Sequence, residues 1–316
     1  MTSLDLLAIG RVSVDLYAEQ LGVSMSEVTS FRKSIGGTAT NVAVATARYG
    51  HRAAVATRVG DDQFGRYVRH ALEHTFGVDP RFVGVHPELK TPLAFAELDP
   101  PEDPTIIFYR EPAAPDMEIE LSPELEAAVD EAAIFWIPAS RFAFPKSRET
   151  VSTLLARRAR RPHTVLDLDW RPMFWESEEE AHARISPHLD EVTIAVGNRK
   201  ECEIAVGASD PDEAADRLLE RGLELAIVKL GGDGVMVATA DGRERIPPYP
   251  VEVVCGLGSG DAFGGALCHG LLEGWDPDRC ARYGNAAGAI VASRMMCADD
   301  MPTADEVDDF LKERDA

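Results

Sequence analysis

Six short apolar runs, at residues 4–9, 53–59, 134–137, 164–168, 192–196 and 225–230, constrain this chain more than any other feature. A strand that is apolar on both faces must be covered on both, and a parallel sheet with helical crossovers does this. The segments between the later runs have the length of such crossovers. The fold expected is therefore α/β, with a mostly parallel central sheet, and its ligand crevice lies beyond the carboxyl ends of the strands.

Two stretches depart from that pattern. Val12, Val14 and Leu16 alternate with Ser13, Asp15 and Tyr17, a half-buried strand, and residues 28–33 can pair with it. Residues 91–98 and 105–109 are two more extended runs, joined by the proline-rich turn Asp99-Pro100-Pro101-Glu102-Asp103-Pro104. Together they predict a small β lid, about residues 12–35 and 90–113, on one domain spanning 1–316. No repeat or linker divides the chain, and an apolar fraction of 45% supplies a core of that size.

The 54 acidic residues against 32 basic ones give a formal charge of −22, which disfavours nucleic acid and anionic membranes as partners. No apolar run has the length of a membrane span, and residues 1–7 lack a basic region before an apolar one. A cytoplasmic location is the expectation. The five cysteines, at 202, 255, 268, 280 and 297, include no C-x-x-C pair, so they predict neither a disulfide framework nor a zinc knuckle. His70-Ala71-Leu72-Glu73-His74 matches H-x-x-E-H, yet both histidines lie off the apolar stripe of Phe64, Val68, Leu72 and Phe76. It reads as a solvated helix face.

Residues 253–275 carry the chemistry. An apolar run ends in Gly256, Gly258 and Gly260, and Asp261 then opens a helical segment through Leu272. Glycines let backbone N–H groups approach a ligand and a helix N-terminus favours an anion, so this loop suits phosphate. Asp261 has two readings here: a helix N-cap, or a base beside a phosphoryl acceptor. Other strand ends add Asp15; Gly36, Gly37 and Asn41, with Thr38 or Thr40 as candidate N-cap; Asp167, Asp169 and Arg171; Asn198 and Glu201; Lys229, Gly231, Gly232 and Asp233. Each alone is explained as a cap or turn, but the predicted sheet brings them to one rim. An anion loop, an acid, and an Asn and Glu suited to hydrated magnesium fit phosphoryl transfer. There is no G-x-x-x-x-G-K-[ST], and Phe263 breaks a G-x-G-x-x-G spacing.

The Gly36-Gly37 segment and G-L-G-S-G-D-A-F at 256–263 resemble the two signatures of the ribokinase family of carbohydrate kinases, the PfkB type, and the likeness covers nearly the whole chain. The resemblance implies a three-layer α/β/α sandwich and an ATP-dependent kinase using Mg²⁺. By the same resemblance Asp261 is the base, and Gly258, Ser259 and Gly260 hold the transferring phosphoryl group. Asn198, Lys229, Gly231, Gly232, Gly234 and Asn285 would line the nucleotide, and Glu201 would reach the metal through water. Asp15, Gly36, Gly37, Asn41, Arg110 and Arg171 would face the sugar. I-G-R-V-S-V-D-L-Y at 9–17, I-F-Y-R-E at 107–111 with Asp116-Met117, and D-L-D-W-R-P at 167–172 resemble the branch acting on 5-dehydro-2-deoxygluconate. Arg110 or Arg171 would pair with its carboxylate. Kinases of 2-dehydro-3-deoxygluconate, fructose, ribose or nucleosides, and a non-catalytic sugar sensor, are the alternatives, and a homodimer through the lid sheet is expected. Ser259 stands where the family usually has alanine, and Pro112 and Pro115 interrupt the segment after Arg110.

Overall fold

A computed structural model describes residues 3–102 and 104–314. Its strands are β1 (Leu6–Ile9), β2 (Ser13–Ala18), β3 (Phe31–Gly36), β4 (Ala53–Gly60), β5 (Val83–His86), β6 (Leu93–Glu97), β7 (Thr105–Tyr109), β8 (Ile134–Pro138), β9 (Thr164–Asp167), β10 (Ile194–Asn198), β11 (Leu225–Lys229), β12 (Val235–Thr239) and β13 (Gly242–Ile246). A nine-stranded sheet runs β13-β12-β11-β10-β9-β8-β1-β4-β5, and a four-stranded sheet runs β3-β2-β6-β7. The first is parallel except for β12 and β13, which form an antiparallel edge. That edge was not expected, because β13 is a run of Gly, Arg, Glu and Arg with only Ile246 buried.

Alternation within the buried strands explains the layers. Leu6 and Ala8 of β1 join one core with the helices Thr38–Arg48, Ser259–Leu272 and Pro277–Ala292, while Leu7 and Ile9 join a second core on the opposite face. This is the expected sheet with helices on both faces. All five cysteines are free and buried, in line with their reading as small hydrophobes. His70 and His74 are exposed, so the H-x-x-E-H match falls on a solvated face. No helix among the described residues is long and apolar enough to cross a membrane.

From β1 the chain proceeds to β4 on one side and later to β8 on the other. That reversal opens a crevice at the carboxyl ends of β1 and β8, where a doubly wound sheet binds ligands. The strand pairing with β2 is Phe31–Gly36, three residues later than expected, and its register sets Asp15 opposite Ser34. The helix after it starts from Gly37, at φ 104°, rather than from Thr38 or Thr40. Thr40 Oγ1 instead donates to the Arg11 carbonyl at 2.9 Å, tying the helix to the end of β1.

Candidate active site

The glycine loop and the helix Ser259–Leu272 are one unit. Gly258 takes the N-cap position at φ 79°, a conformation only glycine adopts freely, and a Cβ there would lie 2.6 Å from Cys297 Sγ. Asp261 is the third residue of the helix and makes no capping bond, which removes the N-cap reading. Its carboxylate instead accepts a 2.7 Å hydrogen bond from Asn41 Nδ2, brought in by the first turn of the helix Thr38–Arg48. Burial pushes the Asp261 carboxyl up to about 6, against the Asn41 hydrogen bond and the Arg171 charge. A carboxyl in that range can accept a proton near neutral pH.

Asp261 stands between two cavities. The smaller, about 70 Å³, is closed on one side by the four-stranded sheet, with Ser13, Asp15, Tyr17, Ala94, Ala96, Ile106 and Phe108 facing inward. Asp15 accepts from Ser13 Oγ at 2.5 Å and from Tyr17 Oη at 3.3 Å, and burial pushes it up to about 6. Gly37 and Asn41 line the same space, whereas Gly36 does not. A Cβ on Gly36 would meet Asp15 Oδ2 at 1.8 Å, so this glycine makes room for the aspartate rather than touching a ligand.

Three arginines reach this cavity: Arg11, Arg110 and Arg171. Arg110 Nη2 pairs with buried Asp116 at 2.5 Å, and Arg171 Nε pairs with Asp169 at 3.0 Å, so neither guanidinium is wholly free for a substrate carboxylate. Arg11 escaped the sequence reading although its motif was noted. It follows β1 at the switch point, where its guanidinium bonds Asp169 at 2.7 Å, Thr38 at 3.1 Å and Ser140. Its place just past a buried strand end was the available signal. Among the described residues, Arg110 Nε and Asn41 Oδ1 are buried without a partner, and both residues line the cavity. Orphaned polar atoms of this kind fit a site awaiting a polar ligand.

The larger cleft, about 650 Å³, is lined by Asn198, Glu201, Lys229, Gly231, Gly232, Gly234, Asn285 and the loop from Gly256 to Asp261. Every residue expected at a nucleotide is therefore in one place. Asn198 and Glu201 form a capping box: Asn198 Oδ1 accepts from Glu201 N at 2.9 Å, and Glu201 Oε2 accepts from Asn198 N at 2.7 Å. The box leaves Asn198 Nδ2 and the second Glu201 oxygen for other partners. Asn285 Nδ2 donates to the carbonyls of Ile246 and Pro247 and so holds that segment at the cleft wall.

Lys229 Nζ lies 3.2 Å from where a Cβ on Gly260 would stand, beside the N-terminus of the helix. Burial opposes its charge, but Glu201, Asp167 and Asp261 outweigh burial and raise its pKa. Burial also pushes Asp167 up to about 7. A helix N-terminus and an ammonium suit a polyphosphate, and nearby carboxylates suit a hydrated divalent ion, so the residues fit a metal–nucleotide complex. The turn between β6 and β7 touches this loop, since Gly256 N donates to the Pro101 carbonyl at 2.9 Å.

Comparison with known proteins agrees with this geometry. The profile of the pfkB family carbohydrate kinases matches residues 3–304. The 5-dehydro-2-deoxygluconokinase of Geobacillus thermodenitrificans is 32% identical over 98% of this chain and 93% of its own length. That of Photobacterium profundum is 33% identical over 99% and 96%. Among solved structures, a putative ribokinase II from E. coli in complex with ATP and Mg²⁺ superposes with a TM-score of 0.86, covering 98% of this chain and 99% of that one at 24% identity, which establishes the ribokinase-like fold. By family profile, relatives and fold together, the chain belongs to the pfkB family of carbohydrate kinases and is an ATP-dependent sugar kinase.

Proposed function

We propose that the protein transfers the γ-phosphoryl group of ATP to the terminal hydroxyl of 5-dehydro-2-deoxygluconate. One observation supports an acidic acceptor above all: three arginines border the small cavity that also holds Asp261. In a protein of net charge −22, local cations are what an anionic sugar requires. The names of the relatives point the same way.

Asp261 takes the hydroxyl proton as the oxygen attacks phosphorus and the bond to ADP breaks. The N–H groups at Gly258, Ser259 and Gly260 stabilise charge on the transferring group, with Lys229 beside them. Glu201 would hold a magnesium ion through water, and that ion would supply neutralisation of phosphate charge. Asp15 and Asn41 hold acceptor hydroxyls, while Arg171 and the unpartnered Nε of Arg110 receive the carboxylate. Asn198, Asn285 and the glycines 231, 232 and 234 shape the nucleotide wall.

The four-stranded sheet acts as a lid that excludes water. Its outer face carries Leu16, Phe31, Phe95, Ile107 and Tyr109, the last two exposed, and a second copy of the chain would cover it. ATP as phosphoryl donor is consistent with a cytoplasmic location. Nothing in the fold or the relatives supports a non-catalytic sensor.

Release of ADP should be measured with ATP and Mg²⁺ against 5-dehydro-2-deoxygluconate, 2-dehydro-3-deoxygluconate, fructose and ribose. The highest kcat/KM is expected for the first. A neutral sugar as best substrate would refute the acidic-acceptor reading.

A further inference from the structure

Outside the kinase site, His51, His269 and Glu273 come together at the far end of the two helices that carry Asn41 and Asp261. Donor atoms of all three lie within 4.8 Å of one another, and His51 Nε2 is 2.7 Å from His269 Nδ1. We propose that these residues bind a borderline divalent cation, Zn²⁺ by preference, as a brace between the two helices.

Two imidazoles and a carboxylate are a zinc donor set, with a water completing the tetrahedron. Bonds of about 2.0–2.2 Å at tetrahedral angles need donor atoms about 3.3–3.6 Å apart. The two nitrogens therefore open slightly, and the exposed Glu273 side chain swings in. The electrostatics favour a cation. His269 and Glu273 sit on the last turn and C-cap of the helix Ser259–Leu272, and His51 follows the end of Thr38–Arg48, so the partial negative charges of two helix ends meet there. Asp5 and Asp308 also act on the pair, with Arg279 the opposing cation. Tyr49 stacks on His269, while Trp275 and Tyr283 pack against it, a wall that fixes the ring before any ion arrives.

His269 is eight residues from Asp261, about 12 Å along the helix at 1.5 Å per residue, so the ion takes no part in phosphoryl transfer. It joins the loop after one helix to the end of the other. Without metal the same contact is a hydrogen bond between the two imidazoles.

The test titrates metal-free protein with ZnCl₂ and with CoCl₂, following bound metal by equilibrium dialysis and the Co²⁺ visible spectrum. One equivalent should bind, with the intense absorption of tetrahedral cobalt and a rise in Tm of a few degrees in Zn²⁺. His51→Gln and His269→Gln should each weaken binding at least about tenfold, and Glu273→Gln should weaken it while leaving the metal-free Tm unchanged. His70→Gln is the control for the exposed His70–His74 pair, whose rings are 4.7 Å apart. The proposal is overturned if no stoichiometric binding is found, if His51→Gln binds like the parent, or if His70→Gln abolishes it. Sugar kinase activity is a separate readout, so failure here leaves the kinase assignment standing.

Discussion

Asn41 Nδ2 donates to Asp261 Oδ2 at 2.7 Å, joining the first turns of two helices across 220 positions of sequence. The bond orients the proposed base and favours its ionised form, since a donor to a carboxylate lowers its pKa. Burial alone would hold the proton more firmly than the value of about 6 reached here.

Removing that donor should therefore move the acid limb of the pH–rate profile. In Asn41→Ala the Asp261 pKa rises, so kcat/KM should fall more at pH 6 than at pH 8. Equal losses at both values would mean that Asn41 acts only on substrate.

Arg171 is the arginine best placed to distinguish acidic from neutral acceptors, because it borders both cavities and its side chain is 39% exposed. Arg171→Gln should lower kcat/KM for the sugar acid about 10- to 100-fold, the loss expected for one charge-assisted hydrogen bond. Any residual activity on fructose should change little. Steady-state kinetics with both sugars decides this.

Asp116 is fully buried and balances two buried arginines, Arg110 at 2.5 Å and Arg141 at 3.9 Å. It also accepts from the Val12 backbone N–H at 3.1 Å. Asp116→Ala leaves both guanidinium groups without their counter-ion, and breaking a buried pair this way costs about 3–5 kcal/mol. Urea unfolding should show a loss of that size, with the sheet intact by circular dichroism.

Asp15 makes no salt bridge among the described residues, and burial raises its pKa to about 6. The folded state thus holds this proton more tightly than the unfolded chain, so the contribution of Asp15 to stability falls as pH rises from about 4 through 6. Asp15→Asn never ionises. Its Tm should exceed that of the wild type at pH 8, with the gain shrinking towards pH 4, while sugar binding is lost. A lower Tm at pH 8 would show that the charge is compensated.

Much of this was legible in local pattern. Apolar runs located β1, β4 and β8 to β11, because a strand buried on both faces reads as a short continuous apolar run. The glycines at 256, 258 and 260 announced a tight turn into a helix N-terminus for the same local reason. Long-range pairing was not legible. The bond from Arg11 to Asp169 spans 158 positions, and neither residue's neighbours signal it. The role of Gly36 depends on the carboxylate of Asp15 in the adjacent strand, which only the register reveals. The polar edge strand β13 was missed because pairing, not burial, holds it in the sheet.

Replacement of Asp261 by asparagine tests the central claim most directly, since it keeps the shape of the side chain and removes its ability to accept the proton. Single-turnover and steady-state rates with ATP, Mg²⁺ and 5-dehydro-2-deoxygluconate should fall by roughly two to four orders of magnitude, with ATP affinity nearly unchanged. Near-normal turnover by Asp261→Asn would contradict its assignment as the base.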